Sequence, residues 1–338
     1  MKRLASLLSF VLLLASCQTE IQYNGKITEP ELVAFADAAS GRPLTCYVQQ
    51  SSFFLNADNN YPDYKIRNQL ADATVHYCVN NGEWLTLPFV GNCFSDSANA
   101  ASVIHAGETL RVRVSHPDYG TTEAEQTLPQ PVEMYFTEQP VREEAGNNNQ
   151  TVYTVQLQFD PYWGDSSAVG MLVGSLDMLF PRQTKEGYDT IERVVPLQLS
   201  SADFMFSEMA STGGSAMEEL FNRIENNGSE QFSRQLQFPV SVLLQEGRTV
   251  EIRFKHNYSS YNSPNQPVLK SLIFYCHVYT KQAWLYRMTT QSAQTGSAIG
   301  FGIEEPVQVM GNFPDTDKGH KVIGVLLASS SDSLKYVP

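Results

Sequence analysis

The chain has 338 residues, of which 42% are hydrophobic and 17% charged, and its formal net charge is −13. That length supplies one large domain or two ordinary ones of roughly 100 to 200 residues each. An acidic surface repels phosphate backbones, and no basic patch interleaved with aromatics relieves it, so the composition argues against a nucleic-acid partner.

At the start, Lys2 and Arg3 precede an apolar run from Leu4 to Leu14, and Ala15-Ser16-Cys17 follows. A basic segment, a short apolar segment and small residues before a cut make a secretory signal of residues 1–16. The cysteine directly after Leu14-Ala15-Ser16 resembles a lipobox. The expectation is a mature protein that begins at a lipidated Cys17, held to the outer membrane by two or more acyl chains because one alone attaches only marginally. The 13 residues from Leu4 to Ser16 fall short of the roughly 20 that span a bilayer. Loss of Lys2 and Arg3 with the signal takes the net charge to about −15, and residues 17–30 read as a tether. Gln18-Thr19-Glu20 places no Asp after Cys17, which resembles an outer-membrane sorting context, but it leaves periplasmic side and cell surface undecided.

Strand patterns dominate the body. Leu110-Val112-Val114 alternates against Arg111 and Arg113, Val152 to Phe159 alternates throughout, and Val250-Ile252-Phe254 alternates against Glu251, Arg253 and Lys255, the period-two pattern of sheets with one wet face. Runs at 44–49, 73–79, 236–244, 268–280, 283–289 and 321–328 extend the strand inventory, with turns at Asn81-Gly82, Ala106-Gly107, Tyr119-Gly120 and Glu246-Gly247. One helix is expected near 215–226, where Ser215 and Glu218 form a capping box ahead of the stripe Met217, Leu220, Phe221, Ile224, with Asn227-Gly228 as the stop.

The break at Leu128-Pro129-Gln130-Pro131 suggests a domain boundary near 132. The reading is a mainly β protein. Residues 31–132 form an N-terminal immunoglobulin-like or prealbumin-like β-sandwich, and 133–338 form a larger antiparallel β-sandwich or barrel-like domain with one short helix.

Four cysteines remain besides Cys17: Cys46, Cys78, Cys93 and Cys276. An exported chain permits disulfides. Cys78 and Cys93 flank the loop at 79–82, so they either bridge neighbouring strands or stay as buried free thiols. No Cys-x-x-Cys pair points to zinc or thioredoxin-like chemistry.

Catalytic motifs do not emerge. The six histidines lack the spacing of a zinc hydrolase, and Gly213-Gly214-Ser215 is no nucleophile elbow. Asp177, Asp189 and Glu192 could in principle make an acid/base pair across strands. Asp58 to Asp63 and Asp315 to Gly319 offer loop oxygens without a closing bidentate Glu. The expectation is therefore no enzyme, no cofactor and no resident metal. Aromatic loops are the better lead: Tyr162-Trp163 after one strand and Tyr258 with Tyr261 after another could stack on sugar rings or anchor a peptide, or else close the ends of a core.

Several segments in order carry a family resemblance. Leu70 to Val75, Gly107 to Val114, Thr127 to Val132, Glu304 to Val309, Gly311-Asn312 and Gly324-Val325-Leu326 together resemble the Bacteroidetes lipoproteins known as domain of unknown function 4249, over roughly residues 17–336. Asp315-Thr316-Asp317-Lys318-Gly319 stands where a glycine-rich stretch is expected, and the four body cysteines are no hallmark of that family. The resemblance implies an outer-membrane lipoprotein associated with TonB-dependent transporters, a sandwich as first domain, and no established chemistry. The leading expectation is a lipid-anchored accessory or binding protein of the cell envelope. The alternative is a structural or adhesin-like module that assembles through strand edges.

Overall fold

The computed structural model describes residues 29–51, 68–145, 151–184, 187–203, 205, 234–256, 268–296 and 311–337. The signal, Cys17, the helix expected at 215–226, Tyr258, Tyr261, Asp58 to Asp63 and Glu304 to Val309 lie outside the described residues.

The first lobe holds β1 (Leu32–Ala39), β2 (Arg42–Pro43), β3 (Thr45–Gln50), β4 (Thr74–Val79), β5 (Leu85–Leu87), β6 (Phe89–Val90), β7 (Cys93–Ser95), β8 (Val103–Ile104), β9 (Thr109–His116) and β10 (Gly120–Thr127). The second holds β11 (Met134–Ala145), β12 (Thr151–Phe159), β13 (Val169–Thr184), β14 (Gly187–Pro196), β15 (Gln198–Ser200), β16 (Leu236–Pro239), β17 (Arg248–His256), β18 (Val268–Tyr279) and helix α1 (Lys281–Gly296). The last strand, β19 (Val322–Tyr336), belongs to both.

A long mixed sheet runs β14-β13-β18-β19-β1-β3-β7-β6, with β16 also on β13. Two smaller sheets cover one face of it. The sheet β10-β9-β4-β5 closes the first core, and β11-β12-β17-β15 closes the second. The protein is thus mainly β and sandwich-like, and no sheet closes into a barrel among the described residues.

β19 joins the two halves. Its first part pairs in parallel with β1, from Leu32 opposite Val322 to Ala39 opposite Ser329. Its second part pairs antiparallel with β18, from Tyr279 opposite Ser329 to Leu272 opposite Tyr336. Strand side chains alternate, so Leu326 and Ala328 enter the first core while Leu334 and Tyr336 pack on the second from the same face.

Three sequence expectations change accordingly. The first core ends at Leu128 and the second begins at Val132, but Phe313, Leu326 and Ala328 pack into the first. Residues 133–338 are therefore not one separate unit: their last stretch returns to complete the N-terminal sandwich. The close approach there depends on glycine, since a Cβ on Gly324 would run into the carbonyl of Ala34 and one on Gly311 into the carbonyl of Gly324. Asn312 lies alongside, its side chain donating to Leu326 O (3.1 Å) and accepting from Leu326 N (2.7 Å) as a strand would.

The second correction is α1, which occupies the run expected as a strand at 283–289. Thr280 caps it, Ala283 N donating to Thr280 Oγ1 at 3.3 Å. Trp284 and Met288 share the face turned to the sheet, four residues apart. The helix covers the back of β18 and β19, with Tyr286 against Phe35 (6.0 Å between ring centroids) and Arg287 over Tyr279 (4.9 Å). The run expected as strand at 236–244 stops at Pro239, which has no N–H for the ladder, and continues as a 3-10 turn at Val240–Leu243. Among the described residues no helix is long and apolar enough to cross a membrane, which says nothing of membrane-crossing strands.

Candidate functional site

The structure separates the two aromatic candidates after β12. Tyr162 is 2% exposed and belongs to the second core, its N–H donating to Leu243 O at 2.9 Å. Burial, with Asp165 nearby, pushes its hydroxyl up to about 12. It anchors the loop and cannot reach a ligand. Trp163, the next residue, is 79% exposed. Asp165 holds the loop in shape by accepting from Ser167 N at 2.9 Å and Ser167 Oγ at 2.8 Å.

Of the two alternatives open for Cys78 and Cys93, the bridge is not formed. Cys78 lies on β4 in the smaller sheet and donates to Gly82 O at 3.2 Å, whereas Cys93 lies on β7 in the long sheet, and both are free thiols. The turn between them in sequence folds β4 onto β5, not onto β7. Nor do the three carboxylates act together. Asp177 accepts from Ser271 Oγ (2.8 Å), Glu192 pairs with Lys270 (2.8 Å), and Asp189 accepts from Thr190 N (2.7 Å). Asp317, from the other acidic loop, accepts from Thr121 N at 2.7 Å and straps residues 314–320 across the first lobe, beside the left-handed Gly120 (φ 96°).

A concave surface among the described residues is one that sequence reading did not single out. Between β4 and β5, Asn80 (φ 51°) and Asn81 (φ 58°) make a tight hairpin turn of the primed kind. Tyr77 opposes Leu85 and His76 opposes Thr86, so Trp84 emerges beside Cys78 on the face away from the core. Around the β9–β10 hairpin, Arg113 opposes Glu123 and Arg111 opposes Glu125 on that same face. Arg113 donates through Nε to Glu123 Oε2 at 2.9 Å and Arg111 through Nε to Glu123 Oε1 at 2.8 Å. The Trp84 ring lies on both guanidiniums, 4.1 Å from Arg113 and 5.1 Å from Arg111.

Burial raises the Glu123 carboxyl, but the hydrogen bonds from Arg111 and Arg113 outweigh it and hold the group below its ordinary value. Glu123 stays ionised and balances the arginines. The result is an open depression of about 770 Å³ bounded by Trp84 and Asp317, with His76, Thr86, Arg113, Ser115, Thr121 and Glu123 lining it. The signal was present in the sequence: an aromatic just past a hairpin turn, and two Arg–Glu pairs equidistant from a second turn.

The family model for domain of unknown function 4249 matches residues 18–335. No curated protein matches the chain. Among solved structures it is similar to a chaperone–tip adhesin complex of CFA/I fimbriae biogenesis, at 9% identity and a TM-score of 0.20 over 60% of this chain and 66% of that one, just under two thirds of its length. It is also similar to the partial N-terminal region of an enterococcal surface protein (7% identity, 77% and 93% covered, TM-score 0.15). A third similarity is to the BSP domain of a biofilm associated protein (6% identity, 93% and 62% covered, TM-score 0.19). These likenesses are too distant to bear on function. The family match spans both cores and the strand they share, and the chain belongs to the domain of unknown function 4249 family (DUF4249).

Proposed function

We propose that this is a lipid-anchored accessory or binding protein of the cell envelope, attached at Cys17 to the outer membrane and working beside a TonB-dependent transporter without catalysing a reaction. The observation that supports it best is the wet face of the N-terminal sheet, where an indole, paired charges and hydroxyls border one depression. A surface of that make-up recognises molecules by stacking and hydrogen bonding. The exposed Trp163 offers a second contact, on a loop of the other lobe tied by Asp165 to Ser167.

Assembly through strand edges is the weaker reading. At the ends of the sheets, β5, β6 and β15 are three residues or fewer, β14 carries Asp189, Glu192 and Arg193, β10 carries Glu123 and Glu125, and β11 contains Pro140 and a register shift between Phe136 and Val141. Short, charged or interrupted edges are the means by which sheets avoid accepting another strand.

The test is cross-linking in native outer membranes followed by identification of what is recovered with the protein. A transporter in stoichiometric amount is the expected result. Recovery of this chain alone would overturn the accessory role and favour self-assembly.

A further inference from the structure

Resting on that binding reading, we infer that the depression on the outer face of β10-β9-β4-β5 is a binding site for an uncharged saccharide, with Trp84 as its stacking platform.

The geometry of the indole comes first. Arg111 and Arg113 both bond to the one carboxylate of Glu123, and both guanidiniums lie over the Trp84 ring. Trp84 is only half-buried and lines the depression. An aromatic held flat by a fixed cationic support loses little side-chain freedom when a ring stacks on it, which is where a platform gains over a mobile side chain.

Charge then selects the ligand. Arg113 faces the depression already paired with Glu123, and Arg111 is shared between Glu123 and Glu125 at 3.6 Å, so no cation is left over for a carboxylate or phosphate. Asp317 at the far end adds negative charge that repels an anion. A cationic peptide would meet the Arg113 guanidinium that lines the depression.

What remains available is neutral hydrogen-bonding capacity on both signs: the hydroxyls of Thr86, Ser115 and Thr121, the His76 ring and the outward oxygens of the carboxylates. Ser115 Oγ and Thr121 Oγ1 hydrogen-bond each other at 3.0 Å, which leaves one hydroxyl hydrogen and the remaining lone pairs of this pair for neighbouring hydroxyls of one sugar. Four strands at about 4.8 Å spacing give a floor about 14 Å wide, and the open shape admits a chain that continues beyond it.

The test uses mature protein on an array of immobilised neutral oligosaccharides (maltohexaose, cellohexaose, xylohexaose, laminarihexaose, chitohexaose), with trigalacturonate and a heptalysine peptide as charged comparators, followed by calorimetry on the responders. Binding to at least one neutral oligosaccharide is expected, weakened at least tenfold by Trp84→Ala and largely restored in Trp84→Phe. Thr86→Ala, which removes one rim hydroxyl from an exposed position, should weaken it severalfold and covers the case in which Trp84→Ala does not fold. No neutral binding, preference for either charged probe, or affinity indifferent to both Trp84 and Thr86 would overturn the assignment. A transporter recovered from membranes with no saccharide bound defeats this inference alone, whereas saccharide binding with no transporter defeats only the accessory role.

Discussion

Single side chains on the back of the long sheet set its response to pH. His277 stacks between Tyr275 and Tyr279, each with its ring 6.2 Å away, and shares its surroundings with Asp37, Arg42 and Arg287. Burial, then the charges of Arg287 and Arg42, lower its pKa. The unfolded chain therefore takes up a proton that the native imidazole refuses, and His277 contributes stability above its ordinary value of 6.5 that is lost as pH falls toward the depressed folded value. Asp37 has the opposite sign: burial raises its carboxyl against the pull of the same two arginines, so its contribution is present in acid and is lost as pH rises through the raised value. Urea midpoints measured from pH 5 to 8 should fall on the acid side for the native protein and fall less for His277→Gln. Equal pH slopes in the two proteins would show that the imidazole is not responsible.

Elements were legible where one face is wet and obscure where both are covered. β9 alternates cleanly because Leu110, Val112 and Val114 face the core while Arg111 and Arg113 face water. β1 does not read as a strand: Leu-Val-Ala-Phe-Ala-Asp-Ala-Ala is rich in the best helix former, and only its tertiary place between β19 and β3 makes it extended. β13 is not legible either, since a strand flanked on both sides and covered on both faces shows a nearly continuous apolar run, and β14, an edge strand mostly exposed over 189–196, has no buried face to mark it. Conversely, Trp284, Tyr286, Thr289 and Thr290 favour strands by propensity, yet α1 forms over them. The Thr280 cap and the seat of Trp284, whose Nε1 donates to Gln237 Oε1 at 3.2 Å, decide the matter. Thr280→Ala should therefore cost about 1 kcal/mol by loss of the cap, read as a lower urea midpoint with an unchanged slope. No change in midpoint would place the helix start under other control. The candidate site follows the same rule: Trp163 was visible as a loop aromatic, whereas Trp84 acquires its role from three strands brought side by side.

Over the whole molecule, the pairing least accessible to sequence reading is the one that sets cooperativity. β1 and β19 lie at opposite ends of the chain and pair in parallel, with no local turn to announce them. At about 3.3 Å per residue, the 15 residues of β19 span about 50 Å, enough to serve one sandwich with each half. Ser329 is the point of exchange: it stands opposite both Ala39 and Tyr279, and its carbonyl accepts from Ser40 N at 2.8 Å. Neither lobe can release this strand without opening a ladder in the other, so the native protein should unfold in one transition. Its three tryptophans report on that directly, Trp84 from the first lobe and Trp163 and Trp284 from the second. Single-tryptophan versions should show the same urea midpoint. Proline at the exchange point removes an N–H and fixes φ in a strand paired on both sides, so Ser329→Pro should separate the Trp84 midpoint from that of Trp284 and lower both. Midpoints that already differ in the native background, or that stay coincident and unmoved in Ser329→Pro, would mean that the two sandwiches are held together by something other than their common strand.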